Sequence, residues 1–118
     1  MAASRKPIIA LALAGVALAA APASAGTTKK VKVEDNFYLP AKVTVKAGTT
    51  MQWRWPESGG DVHDVKLDKG PKGVKEFQSE PGSSTYTYRK TLTKPGTYKI
   101  VCTLHEEMKM TITVKKKR

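Results

Sequence analysis

Apolar and polar residues alternate in short runs from Lys29 onward, and glycine or proline separates one run from the next. Val31 and Val33 share one parity of the first run, and Lys42 to Lys46 alternate without a break. A period of two residues is typical of a half-buried β-strand, and the 3.6-residue period of an amphipathic helix does not occur in this part of the sequence. The pattern predicts an all-β chain, a Greek-key β-sandwich of seven to eight strands.

Parity also predicts which side chains of the later runs point inward. In the predicted strand from Asp61 to Leu67, His63 shares the inward parity with Val65, whereas Asp64 falls on the opposite face. The segment from Val74 to Gln78 is a candidate for a short edge strand. A histidine on a core face is more often a hydrogen-bonded core residue than a ligand, so its role depends on what else the fold brings to it.

The first 25 residues have the pattern of a secretory signal peptide. Two basic residues precede an apolar run from Ile8 to about Ala20, and small residues at Ala23 and Ala25 form a cleavage pattern. The apolar run is roughly 13 residues long, whereas a membrane span needs about 20. We therefore predict a signal peptide at 1–25 and one exported domain at 26–118, with an uncleaved membrane anchor as the alternative.

The chain is strongly basic. Its formal charge of +11 becomes +9 when Arg5 and Lys6 are lost with the predicted leader. Such an excess can indicate nucleic-acid binding, but export argues against a nucleic-acid partner, and the lysines are scattered through the alternating runs. The charge indicates a solvated surface, with electrostatic association with an acidic partner or an anionic envelope surface as the alternative.

Cys102 is the single cysteine of the sequence, so it cannot form an intrachain disulfide. Small exported domains often use paired cysteines as staples, and this residue therefore needs another explanation. It is a buried apolar side chain, a catalytic thiol or a metal-binding thiolate. A c-type haem is excluded because C-x-x-C-H is absent, and zinc-finger spacing is excluded because no second cysteine is present.

The residues around Cys102 favour the metal. His105 and Met108 follow at three-residue steps in a short loop between two strand-like runs, and Cys102 has the inward parity of its strand. A thiolate, an imidazole and a thioether suit copper better than a hard, oxygen-preferring cation. A fourth donor has to come from elsewhere in the chain, and His63 is the candidate.

An ordered set of motifs resembles the plastocyanin/azurin family of cupredoxins, and the short ligand loop is most similar to that of the amicyanins. The motifs are Asn36-Phe37, Val43-Thr44-Val45-Lys46-Ala47-Gly48-Thr49, Trp53, His63 followed by Val65, Pro95-Gly96-Thr97-Tyr98 and Cys102-x-x-His105-x-x-Met108. The resemblance implies one type 1 copper ion, with His63, Cys102 and His105 as near-trigonal ligands and a methionine as the weak axial ligand.

Two methionines are available for the axial position. In the family's pattern, the fourth and sixth residues after the axial methionine point into the core. From Met108 these residues are Ile112 and Val114, whereas from Met110 the second would be Lys116, a poor core residue. We predict Met108 as the axial ligand and keep Met110 as the alternative.

The resemblance implies a blue-copper electron carrier rather than an enzyme, and the predicted signal peptide indicates the periplasm or the cell surface. It would exchange single electrons with redox partner proteins as a monomer, with His105 as the electron port. Glu106 and Glu107 flank that port, where the family pattern favours an apolar face, and Asp64 replaces a frequent asparagine. The alternatives are a copper storage or delivery protein of the same fold and a metal-free interaction module.

Overall fold

A computed structural model describes residues 27–117, so the predicted leader lies outside the described residues. Eight strands form two four-stranded sheets, with the strand orders β2-β1-β4-β6 and β3-β8-β7-β5. The predicted all-β sandwich is confirmed. The strands are β1 (Thr28–Glu34), β2 (Phe37–Leu39), β3 (Lys42–Lys46), β4 (Thr49–Arg54), β5 (Lys66–Lys69), β6 (Thr87–Leu92), β7 (Gly96–Cys102) and β8 (His105–Lys115).

The inward parity of the strands builds one core between the two sheets. Trp53 of β4, Tyr98 and Ile100 of β7 and Ile112 of β8 are at most 1% exposed. Burying a large aliphatic side chain stabilises a fold by about 1.5–3 kcal/mol, so the period-two pattern carries much of the folding free energy. Strands β1 and β4 pair in parallel, as do β3 and β8, and the other neighbours are antiparallel.

The predicted strand from Asp61 to Leu67 is wrong for most of its length. Strand β5 begins at Lys66, and His63 makes an isolated bridge with Gly82. Between them the Asp64 carbonyl oxygen accepts from the Tyr38 hydroxyl and the Val65 N–H donates to the Ser79 hydroxyl, and such bonds to side chains compete with a regular ladder. The candidate edge strand at 74–78 is likewise reduced to one bridge, between Lys66 and Gln78.

Three segments meet at one end of the sandwich: the β1–β2 turn, the segment 60–65 and the β7–β8 turn. Asp35 of the first contacts His63 of the second, and Thr103 of the third contacts Asp64. This end therefore gathers chain segments that are far apart in sequence. Within residues 27–117, no helix has the length and apolar character needed to cross a membrane.

Candidate metal centre

The β7–β8 hairpin supplies two of the predicted donors. Cys102 ends β7 and His105 begins β8, and the two are paired across the two-residue turn at Thr103 and Leu104. The Sγ atom of Cys102 lies 3.7 Å from Nδ1 of His105. The C-x-x-H spacing thus follows from the geometry of a tight hairpin, which brings the residues on either side of its turn next to each other.

His63 reaches the hairpin from a separate segment. Its backbone N–H donates to the Gly82 carbonyl at 2.9 Å, and the Gly82 N–H donates to the His63 carbonyl at 3.0 Å. The Nδ1 atom of His63 lies 4.0 Å from the Cys102 sulfur, and the centres of the His63 and His105 rings are 4.7 Å apart. The structure thus brings together all three residues that the sequence predicted as near-trigonal ligands.

The geometry and chemistry of these donors fit a copper ion. The two imidazole nitrogens and the sulfur lie within 4.8 Å of one another. Metal bonds of about 2.0–2.3 Å to nitrogen and sulfur place three coplanar donors roughly 3.5–4 Å apart. His63 and Cys102 are each 2% exposed, and His105 is 26% exposed. Of the three donor residues, His105 is therefore the one whose side chain is partly exposed to solvent.

Strand register distinguishes the two methionines. Met108 and Met110 are both buried and both lie on the inward face of β8. Met110 pairs with Ile100 of β7, two residues before Cys102, whereas Met108 lies one inward position closer to the hairpin turn. Because a strand rises about 3.3 Å per residue, Met110 is displaced from the donors by roughly a further 7 Å along the strand.

Asp64 is buried, at 3% exposure, and the predicted outward orientation of its side chain is wrong. Its carboxylate accepts hydrogen bonds from the Thr103 backbone N–H at 2.7 Å, from the Thr103 hydroxyl at 2.6 Å and from Gln78 at 3.0 Å. Burial raises the pKa of Asp64, but bonds from Thr103, Gln78 and Cys102 outweigh it and hold the pKa below its usual value. Asp64 is therefore an anion that ties the His63 segment to the turn between Cys102 and His105.

The backbone of Asp64 is held as well as its side chain. The Tyr38 hydroxyl donates to the Asp64 carbonyl oxygen at 2.6 Å. Burial raises the pKa of Tyr38, with further contributions from the charges of Cys102 and Asp64, so the phenol remains a protonated donor. Next in the chain, the Val65 N–H donates to the Ser79 hydroxyl at 2.9 Å. These contacts fix the residues that follow His63.

Asp35 is a site residue that sequence reasoning missed. Its Oδ1 atom lies 2.9 Å from Nε2 of His63 and accepts the Asp61 backbone N–H at 3.0 Å. The bond to His63 is the largest cause of a lowered pKa at Asp35, followed by the bond from Asp61. In the sequence Asp35 marks a turn after a strand, and no local pattern indicates the contact with a histidine 28 positions later.

The surface around His105 is mixed in character. Leu104 and Val62, neighbours of the two histidines, are 52% and 46% exposed. Glu106 and Glu107 are also exposed, and an oxygen of Asp61 lies 3.9 Å from Nε2 of His105. The apolar face that the family pattern favours is thus present in part, with carboxylates beside it.

Comparison with known proteins assigns the family. The family model of the cupredoxin-like domain matches residues 7–114. The chain belongs to the cupredoxin family. Amicyanin-alpha of Methylorubrum extorquens is 33% identical over 101 residues, which are 86% of this chain and 82% of that protein. Amicyanin of Paracoccus versutus is 35% identical over 96 residues, 80% of this chain and 67% of that protein.

Solved amicyanin structures share the fold of this cupredoxin. The crystal structure of amicyanin from Paracoccus versutus superposes with a TM-score of 0.63 and 30% identity, covering 78% of this chain and 83% of that one. A reduced Cu(I) form of an amicyanin variant superposes with a TM-score of 0.64 and 26% identity, covering 76% and 82%. The family resemblance predicted from the sequence motifs is confirmed.

Proposed function

We propose that this cupredoxin is a type 1 blue-copper protein that transfers single electrons between redox partner proteins outside the cytoplasm. The observation that carries the proposal is the approach of the His63, Cys102 and His105 donor atoms to within 4.8 Å of one another. This function agrees with the family to which the chain belongs, whose amicyanin-like members are electron-transfer proteins and not enzymes. We assign His63, Cys102 and His105 as the near-trigonal ligands and Met108 as the axial ligand.

When bound, copper supplies a one-electron couple between Cu(I) and Cu(II). The protein holds the donors in place through bonds that do not depend on the ion. Gly82 fixes the backbone of His63, and Asp64 fixes the turn between Cys102 and His105. Because these bonds hold the donor residues in nearly one geometry, a change in the oxidation state of the ion would require little reorganisation of the protein. The burial of Cys102 also keeps its sulfur away from oxidants that attack exposed thiolates.

The unequal exposure of the proposed ligands supports one of them as the route for electron exchange with partner proteins. His105 is 26% exposed, whereas the other two proposed near-trigonal ligands are buried. An electron that enters or leaves through the His105 ring crosses the thinnest layer of protein. We assign His105 as the electron port, with Leu104 and Val62 as apolar contacts for the partner and Glu106 and Glu107 as contacts for basic or hydrogen-bonding groups.

We further propose that the protein acts outside the cytoplasm as a monomer. The signal-peptide pattern at 1–25 supports export to the periplasm or the cell surface, with the domain at 26–118 as the mature monomer. The basic surface supports association with an anionic envelope surface as a secondary property.

Adding Cu(II) to the full-length protein recovered after export tests the function. Intact mass first establishes whether residues 1–25 have been removed. We expect an intense blue thiolate-to-copper charge-transfer band at one copper per chain, and reversible one-electron cycling with the metal retained. Copper uptake without the band would overturn the type 1 site. A blue protein that loses its copper at each reduction would instead favour storage or delivery.

Substituting each methionine separately tests the axial assignment. We expect Met108→Gln to change the position and relative intensity of the charge-transfer bands and to shift the midpoint potential, because a weak axial ligand tunes the potential of such sites. Met110→Gln is the matched control, since it introduces the same amide at an equally buried position farther from the donors. A larger spectral change in the Met110 variant would assign the axial position to Met110.

A further inference from the structure

The β1–β2 turn contributes to the metal centre from outside the ligand-bearing segments. We infer that Asp35 is a positioning residue for His63, and that its carboxylate sets which ring nitrogen of His63 carries the proton. This inference rests on the proposed copper site and concerns the state of the ligand before metal arrives. It gives a function to a residue that makes no contact with the proposed ion.

The two nitrogens of His63 face different partners. Nε2 lies 2.9 Å from Oδ1 of Asp35, and Nδ1 lies 4.0 Å from the sulfur of Cys102. An ionised carboxylate accepts hydrogen bonds and cannot donate them. In the neutral ring, Nε2 is therefore the protonated nitrogen, and the lone pair of Nδ1 points toward the donors of the site. A histidine that binds a metal through one nitrogen commonly donates the other N–H to a carboxylate in this way.

The loop before His63 is shaped around the Asp35 carboxylate. The Asp61 N–H donates to the same Oδ1 at 3.0 Å. A Cβ atom added at Gly60 would lie 2.7 Å from Oδ1 and 2.9 Å from Oδ2, closer than carbon and oxygen can approach. Glycine at position 60 thus leaves the space that the carboxylate occupies. This steric observation is independent of the hydrogen bond to His63.

The second histidine has no equivalent partner among residues 27–117. The nearest carboxylate to His105 is that of Asp61, whose oxygen lies 3.9 Å from Nε2, beyond hydrogen-bonding distance. Asp61 and Asp35 are therefore a matched pair. Each places one exposed carboxylate at the same end of the molecule, and Asp35 alone of the two hydrogen-bonds to a ligand ring.

A hydrogen-bonded carboxylate makes the imidazole a stronger donor, and a stronger donor favours Cu(II) over Cu(I). Loss of such a partner typically weakens metal affinity by about 10–100-fold. We expect Asp35→Ala to weaken Cu(II) binding by about tenfold relative to Cu(I). A tenfold change in that ratio corresponds to a rise of about 59 mV in the midpoint potential.

The first measurement uses the metal-free protein. Long-range ¹H–¹⁵N NMR at about pH 8, where an ordinary histidine is neutral, reports the tautomer of His63. We expect the Nε2–H form in the wild type and in Asp61→Asn. Asp35→Ala should populate the Nδ1–H form. Asp35→Asn should keep the Nε2–H form, since its amide oxygen still accepts, and Gly60→Ala should shift the tautomer in the direction of Asp35→Ala.

The second measurement compares Cu(II) and Cu(I) affinities. A tenfold change in their ratio in Asp35→Ala, against less than about threefold in Asp61→Asn, supports the inference. An Nδ1–H tautomer in the wild type, an unchanged tautomer in Asp35→Ala, or equal affinity changes in the two variants would overturn it. If Asp35→Ala does not fold, Gly60→Ala decides, and a wild-type tautomer in that variant would overturn the inference. A wild type that is not blue refutes the proposed copper site and leaves the tautomer result interpretable.

Discussion

Replacing Cys102 with serine is expected to abolish the blue colour of the copper-loaded protein completely. The intense band requires a copper–thiolate bond, and Cys102 is the single cysteine of the chain. Its sulfur lies 3.7 Å from Nδ1 of His105 and 4.0 Å from Nδ1 of His63, so the substitution removes the thiol from the centre of the donor cluster. The measurement is the visible absorption spectrum during titration with Cu(II).

Loss of colour has to be separated from loss of fold. Exchanging a buried thiol for a hydroxyl leaves the packing of β7 almost unchanged, so we expect the free energy of unfolding of the metal-free variant to fall by about 1–3 kcal/mol. Val101→Ala is the control, because it shortens a neighbouring side chain of opposite parity and should keep the full band. A Cys102→Ser variant that remained blue would show that the chromophore does not involve this sulfur.

Replacing Asp64 with asparagine is expected to raise the midpoint potential of the proposed copper site. The buried carboxylate lies between the His63 segment and the hairpin turn, and a negative charge there stabilises the more positive oxidation state. Removing one charge at several ångströms in a partly buried site is worth about 1–3 kcal/mol, or roughly 40–130 mV for a one-electron couple. Protein-film voltammetry of both proteins measures the difference.

An exposed charge near another proposed ligand, His105, provides the control for Asp64. Glu106→Gln removes one negative charge beside His105, but its side chain is in solvent, so screening should keep the shift well below that of Asp64→Asn. Equal shifts in the two variants would show that the potential follows net charge and not the buried carboxylate. A lower potential in Asp64→Asn would contradict the assignment of this residue.

The lowered pKa of Asp64 also predicts how the difference in stability between the wild type and Asp64→Asn depends on pH. A carboxyl group with a lower pKa in the folded than in the unfolded protein stabilises the fold above its unfolded pKa, about 3.9. That contribution disappears as the pH falls through the folded pKa. Metal-free wild type should therefore exceed Asp64→Asn in unfolding free energy at neutral pH, and the difference should shrink below about pH 4. Urea denaturation at several pH values tests this.

Parity along the sequence predicted the sandwich and the position of Cys102 well. In β7 the ladder to β8 is regular from Gly96 to Val101 and shifts register before Cys102. Tyr98, Ile100 and Cys102 are all buried, as a period of two requires. Parity also predicted the burial of His63, although the strand around it does not exist: an isolated bridge to Gly82 holds the residue instead.

The wrong or missed predictions concern residues that are held by side-chain hydrogen bonds and not by the backbone hydrogen bonds of a β-sheet. Asp64 turns inward because the Thr103 N–H and hydroxyl offer its carboxylate two hydrogen bonds, and no period in the sequence encodes that choice. The contact of Asp35 with His63 joins a turn to a loop 28 positions away. Such a contact depends on how two separate segments pack, so it was not predictable from either segment.

The three proposed near-trigonal donors differ in how much of the chain must fold before they meet. Cys102 and His105 are neighbours across a two-residue turn, whereas His63 is 39 positions from the cysteine. Bringing His63 next to the cysteine closes a long loop, which costs conformational entropy. The free energy gained by burying the core offsets this cost. During folding the Cys102–His105 pair therefore needs only a local hairpin, whereas the full donor triad requires the closed sandwich.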